Sequence, residues 1–165
     1  MLKRIHHIGV LVRSIAETLP LYELLGFQAG TPFELPEQRV RAVFLCAGED
    51  RLELLEPLTA DCPLAQVLAK RGEGLLHVCL EVDDLEGQLR RLKGEGVKLV
   101  DTHGWTSPIG LVAFLHPKWL HGVSVELRQA ETPGTAADER VQHHHGDTGE
   151  GGRNTQALRD EERGT

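Results

Sequence analysis

The sequence predicts an α+β fold built from two copies of one strand–helix–strand–strand–strand unit, and three observations carry this reading. A shift of 70 residues lays His7 on His77, Val12 on Val82, Ile15 on Leu85, Leu19 on Leu89 and Gly26 on Gly96. Both halves run through strand-like and helix-like segments in the same order. Each half also closes on a glutamate between apolar neighbours, Leu52-Glu53-Leu54 and Val125-Glu126-Leu127, 46 and 49 residues after its histidine. Self-similarity of this kind indicates an internal duplication.

In the first copy, Ile5-His6-His7-Ile8-Gly9-Val10-Leu11-Val12 reads as a buried strand rich in β-branched residues. Ser14 is the expected N-cap of a helix carrying Ile15, Leu19, Tyr22 and Leu25 at helical spacing, with Gly26 as its stop. Pro20 interrupts that pattern and predicts a shift or kink. After Phe27–Thr31 comes a turn-rich piece around Pro32 and Pro36-Glu37-Gln38. Val40–Cys46 and Arg51–Leu55, separated by Gly48-Glu49-Asp50, predict a hairpin that Pro57 ends. Cys62–Arg71 predicts a short helix with Pro63 in its first turn.

In the second copy, Leu75–Val82 predicts a strand introduced by Gly72-Glu73-Gly74, the seam between the halves. Asp83 or Asp84 caps a helix with the stripe Leu85, Leu89 and Leu92, ended by Gly94 and Gly96. Val97–Val100 predicts a strand, 101–110 a loop, and Leu111–Leu115 with Val123–Leu127 a hairpin around His116-Pro117-Lys118. The chain is therefore expected to form one domain over residues 1–130, with modules at about 4–60 and 74–130. Residues 131–165 hold six glycines and only five apolar side chains, which cannot offset the entropy of ordering, so a disordered acidic tail is expected. Its His143-His144-His145 run reads as solvated low complexity rather than a metal site.

Several function classes fall away on composition. The formal net charge of −7 argues against nucleic acid as a partner. Three cysteines, Cys46, Cys62 and Cys79, with no C-x-x-C, argue against a disulfide framework or structural zinc and predict small buried or half-buried thiols. The first apolar run breaks at Arg13, too short for a signal peptide, and no run of 18 apolar residues spans a membrane. A cytoplasmic protein is expected.

Alone, His77 in its apolar strand reads as a hydrogen-bonded core histidine. Its partner His7 and the paired glutamates change that reading. If the halves pack as pseudo-twofold mates, His7, Glu53, His77 and Glu126 converge, and two imidazoles with two carboxylates suit an octahedral divalent ion with two open positions. Cobalt, manganese, nickel or zinc would serve. His6, adjacent to His7, is expected on the opposite strand face in a structural role. His103, His116 and His121 fall in loops or turns.

The duplicated unit resembles the vicinal oxygen chelate (glyoxalase) superfamily and, within it, the methylmalonyl-CoA epimerases over residues 4–130. The matching pieces are Ile5-His6-His7-Ile8-Gly9-Val10, Pro36-Glu37-Gln38, Leu52-Glu53-Leu54-Leu55-Glu56-Pro57 and Gly72-Glu73-Gly74-Leu75-Leu76-His77. The two most specific are Val112-Ala113-Phe114-Leu115-His116-Pro117-Lys118 and Gly122-Val123-Ser124-Val125-Glu126-Leu127. The resemblance implies two βαβββ modules forming a curved mixed sheet around a metal site. It puts the ligands on His7, Glu53, His77 and Glu126, and implies a homodimer.

The activity so implied is metal-dependent epimerisation of methylmalonyl-CoA or a related 2-substituted acyl-CoA. Chelating the thioester and carboxylate oxygens stabilises the enolate left when the α-proton departs. Inversion requires two acid/base groups on opposite faces. Glu126 resembles one of them. Some relatives carry the other as a glutamate where this chain has Ala42, so either Glu37, a bound water or another group replaces it, or the activity is altered; Glu37 is the named candidate. Lys118, or the Lys70-Arg71 pair, is expected to meet the phosphates of coenzyme A. Trp105 and Trp119 stand near the expected mouth of the site, where relatives carry glycine-rich or small residues. The competing readings are a glyoxalase I-like lyase, which would carry an Asp-Pro-Asp-Gly-type turn in place of His-Pro-Lys, an extradiol-type iron dioxygenase, and a non-catalytic binding module on the same fold.

Overall fold

The structure, a computed structural model, describes residues 1–131; the tail at 132–165, with its three consecutive histidines, lies outside the described residues. The first half comprises strands β1 (Leu2–Leu11), β2 (Gln28–Ala29), β3 (Phe33–Leu35), β4 (Val40–Ala47) and β5 (Asp50–Pro57), with helix α1 (Ile15–Leu24) after β1. Helix α2 (Pro63–Arg71) joins it to the second half, which has β6 (Gly74–Val82), α3 (Leu85–Gly94), β7 (Trp105–Ser107), β8 (Gly110–Leu115) and β9 (Ser124–Gln129). A 3-10 turn over Pro117–Leu120 links the last two strands.

All the strands form one mixed sheet in the order β2-β4-β5-β1-β6-β9-β8-β7, with β3 pairing on β4. The duplication is visible in the pairing. β1 runs parallel to β5 as β6 runs parallel to β9, and the two halves join antiparallel through β1 and β6.

Alternation along the closing strands separates core from site. Leu52 and Leu54 of β5 pack with Val10, Val12 and Ile15 under α1, while Glu53 and Leu55 face a cavity. On β9, Val125 and Leu127 pack with Val82, Leu85 and Leu89 under α3, while Ser124 and Glu126 face the same cavity. Leu85 and Leu89 are fully buried, each contributing roughly 1.5–3 kcal/mol by removal from water.

The helix starts repeat as well. Ser14 Oγ accepts from the Glu17 amide, and Asp84 Oδ1 accepts from the Gly87 amide. The first amide of each helix donates to the residue three beyond the strand glutamate: Ile15 to Glu56 at 2.8 Å, Leu85 to Gln129 at 2.8 Å. Helix α1 runs from Ile15 to Leu24 straight through Pro20. The penalty of an interior proline, about 3 kcal/mol, is outweighed by the packing of Ile15, Leu19 and Tyr22 on the sheet. Cys62 caps α2, its Sγ accepting from the Ala65 amide. The three cysteines are free and buried, as their sequence context implied.

Two expectations fail locally. The segment 97–100 is not a strand: it meets the sheet only by a Leu99–Leu115 bridge, because Asp101 Oδ2 accepts from the Phe114 amide at 2.8 Å where a longer strand would have paired. Conversely, β3 and β7 arise in segments read as turn and loop. Each has three residues and takes its strand form from pairing on β4 or β8.

Candidate functional site

The repeat brings His7, Glu53, His77 and Glu126 to one point. His7 Nε2 and His77 Nε2 are 2.9 Å apart. Glu53 Oε2 is 3.2 Å from His7 Nε2 and 3.6 Å from His77 Nε2, and Glu126 Oε2 is 3.4 and 3.3 Å from the same atoms. All four side chains are buried. Neighbouring ligands at right angles around an ion with bonds of about 2.1 Å stand about 3 Å apart, so this donor set fits a divalent cation. His7, His77 and Glu126 form one candidate metal-binding group, and the Glu53 carboxylate closes on both imidazoles.

Charge is held here against burial. Burial disfavours a protonated His7, yet hydrogen bonds with Cys79, Glu126 and Glu53 push its pKa up to about 12. Burial alone would raise Glu126, but hydrogen bonds and charge from His7 and His77 hold it down to about 2. Burial drives the Cys79 thiol up to about 12, despite its hydrogen bond with His7.

His6 departs from expectation. Between Ile5 and His7, β1 carries an extra residue against the successive Leu80 and Cys79 of β6. This bulge cancels the alternation that would send His6 to the far face. His6 Nδ1 instead lies 2.9 Å from His7 Nδ1, with its Nε2 3.2 Å from Arg51 Nη1. Burial, then the charges of Arg128, His7, Arg51 and Arg4, hold the His6 pKa at about 3. His6, His7 and Cys79 thus form a second buried cluster behind the first.

A cavity of about 670 Å³ opens over the donors, with Glu53, His77 and Glu126 on its floor. Apolar side chains dominate its walls, among them Phe33, Leu55, Leu64, Trp105 and Phe114. Glu37 and the cations Arg39 and Arg71 also line it. Arg39, which the sequence did not single out, pairs with Asp61. Lys118 is exposed on the 3-10 turn, next to Pro117, which lines the cavity. Trp105 lines the cavity and its Nε1 donates to Asp101, whereas Trp119 is 45% exposed and outside the lining. His103, His116 and His121 do not line it either. Ala42 is fully buried beside Val40 and Leu55, with Phe33 packed against them.

Residues 6–114 match the model of the Glyoxalase/Bleomycin resistance protein/Dioxygenase superfamily. Mitochondrial methylmalonyl-CoA epimerase of Bos taurus is 37% identical over 132 residues, covering 78% of this chain and 75% of that protein. Ethylmalonyl-CoA/methylmalonyl-CoA epimerase of Cereibacter sphaeroides is 33% identical over 138 residues, covering 78% of this chain and 99% of that protein. Among solved structures, a methylmalonyl-CoA epimerase in complex with methylmalonyl-CoA and NH4+ is 32% identical, with TM-score 0.73 over 79% of this chain and 96% of that one. A Streptomyces coelicolor methylmalonyl-CoA epimerase variant bound to 2-nitronate-propionyl-CoA is 32% identical, with TM-score 0.74 over 81% of this chain and all of that one. By fold and by sequence, the chain belongs to the glyoxalase/bleomycin resistance protein/dioxygenase superfamily and, within it, to the methylmalonyl-CoA epimerases, isomerases that act on an acyl-CoA.

Proposed function

We propose that this isomerase epimerises methylmalonyl-CoA, or a closely related 2-substituted acyl-CoA, with a divalent ion (cobalt, manganese, nickel or zinc) held by His7, Glu53, His77 and Glu126. One observation carries the reading: two imidazoles and two carboxylates converge, with Nε2 to carboxylate distances of 3.2 to 3.6 Å, and three of the four, Glu53, His77 and Glu126, line the floor of a largely apolar cavity with His7 buried beneath it. Bound there, the ion supplies a Lewis acid for the thioester and carboxylate oxygens, which lowers the cost of α-proton loss.

The rest is the work of side chains. Glu126 takes the α-proton on one face. Glu37, lining the same cavity, returns one on the other. Phe33, Leu55 and Phe114 exclude water from the carbanion and strengthen every charge interaction around it. Arg71, at the cavity wall, and Lys118, beside it, meet the coenzyme A phosphates, which extend beyond a cavity of about 670 Å³.

The relatives bound to acyl-CoA support this reading over a glyoxalase I-like lyase or a non-catalytic module. We assign a homodimer, supported by Leu2, Ile5 and Leu75, exposed on the central strands β1 and β6 at 59%, 62% and 72%. A cytoplasmic location is supported by three free thiols. Among the described residues no helix is long and apolar enough to cross a membrane.

The test is incubation of cobalt-loaded protein with one epimer of methylmalonyl-CoA in deuterated water. Deuterium at the α-carbon, together with inversion, is expected. Incorporation no greater than with Glu126→Gln overturns the proposal.

A further inference from the structure

The second buried cluster has a use that the four ligands alone do not explain. A neutral imidazole has one N–H and one lone pair, and an arginine has donors only. For His7 Nε2 to offer its lone pair to an ion, the His7 proton must sit on Nδ1. That nitrogen is 2.9 Å from His6 Nδ1, which then accepts beside Cys79, the other hydrogen-bond partner of His7 in this cluster. The His6 proton is thereby placed on Nε2, 3.2 Å from Arg51 Nη1, where two donors would face each other. When Arg51 donates to His6 Nε2 instead, the His6 proton moves to Nδ1, and His7 is turned to the tautomer that carries hydrogen on Nε2.

We propose that His6 is a positioning residue for the metal site, fixing His7 in its ion-binding tautomer by accepting from Nδ1, and that its contact with Arg51 is exclusive with metal binding. The inference rests on the metal reading above. The β1 bulge is what makes it possible, because a regular strand would put His6 on the opposite face. Partners that orient a metal-bound imidazole through its other nitrogen change metal affinity by about 10–100-fold when removed. Arg51 is half-buried and has a further interaction besides its contact with His6.

The experiment is titration of the apoprotein with Co²⁺, read by equilibrium dialysis and by the visible absorption of the bound ion. His6→Leu is expected to weaken binding by about 10–100-fold and to shift the spectrum. His6→Gln, whose carbonyl accepts from Nδ1–H, is expected to recover most of the affinity. Arg51→Gln is expected to tighten binding severalfold. That gain should vanish in Arg51→Gln/His6→Leu, whereas a simple loss of positive charge would act equally in both backgrounds. Binding by His6→Leu as tight as the parent overturns the proposal. So does His6→Gln as weak as His6→Leu, or an Arg51→Gln effect that is absent or independent of His6. Should His6→Leu fail to fold, Arg51→Gln and His6→Gln read the same contact. A parent protein that binds none of Co²⁺, Mn²⁺, Ni²⁺ or Zn²⁺ overturns the metal reading and this inference together.

Discussion

Gly9 lies directly opposite His77 across the β1–β6 pair, and a Cβ at Gly9 would stand 2.3 Å from Cε1 of the His77 ring. The imidazole therefore occupies the space that the missing side chain leaves. Gly9→Ala is expected to push the ring off the donor cluster while leaving the core strands paired, because the obstructed atoms are the movable end of a side chain. The apoprotein should lose no more than about 1–3 kcal/mol, whereas Co²⁺ affinity should fall at least tenfold. Thermal melts and metal titration of the same sample separate the two effects. Unchanged affinity would show that the ring does not need its place over Gly9.

On the proposed metal reading protons and the ion compete for this cluster, and the sign follows from the two shifted groups. His7 is raised from its ordinary 6.5 to about 12, so its contribution to apoprotein stability is complete below pH 6.5 and lost as pH climbs toward 12. Glu126 is lowered from 4.5 to about 2, so its contribution is present above pH 4.5 and lost as pH falls toward 2. The apoprotein should be most stable between these limits. An ion must displace the His7 proton, so loading should release protons and tighten as pH rises. Calorimetric titration in two buffers of different ionisation heat measures the release. A binding heat independent of buffer would contradict it.

The convergence of His7, Glu53, His77 and Glu126 was legible in the sequence because duplication makes each half a control for the other. Glu53 and Glu126 follow their histidines at nearly equal distances, and the pairings β1–β5 and β6–β9 turn that spacing into convergence. What was illegible is where one residue more or less in a strand changes direction. Strict alternation sends His6 away from His7, and only the count of residues against Leu80 and Cys79 reverses it. The cavity cations were half legible. The Lys70-Arg71 pair drew attention by composition, but the structure turns Arg71 to the wall, and Arg39 joins it from a turn where it adopts a left-handed φ of 57°. Strands β3 and β7, three residues each, carry no pattern long enough to read and exist by virtue of their neighbours.

Arg128 ties the second module to the cavity rim. It is 3% exposed, donates from Nε to the Ile109 carbonyl at 2.6 Å, and pairs with Glu81 and Glu131. Ile109 lines the cavity. Arg128→Met leaves Glu81 with Arg4 as partner and frees the Ile109 carbonyl, so a loss of roughly 3 kcal/mol is expected. KM for the acyl-CoA should rise more than kcat falls, since the ligands themselves are untouched. Replacing Glu81 by Leu in the same chain should recover part of the stability but not KM. Equal recovery of both would assign Arg128 a purely structural role.

The second acid/base group is the sharpest point at which this chain leaves the pattern it resembles. Ala42 is fully buried and packs with Val40, Leu55 and Phe33, so a larger side chain there must displace these neighbours. Ala42→Glu should therefore destabilise the chain rather than add a base, by the several kcal/mol that burying a carboxyl costs. Glu37, on the Pro36–Arg39 turn, shares the cavity with Glu126 and has no such obstacle. Glu37→Gln should cut inversion by about 10²–10⁴-fold. Metal affinity should hold, and Glu126 should still exchange the α-proton of one epimer with deuterium. Exchange without inversion is the signature of a carbanion formed on one face with no donor on the other, so inversion at the parent rate would remove Glu37 from the reaction and leave water entering by the Arg71 side as the proton source.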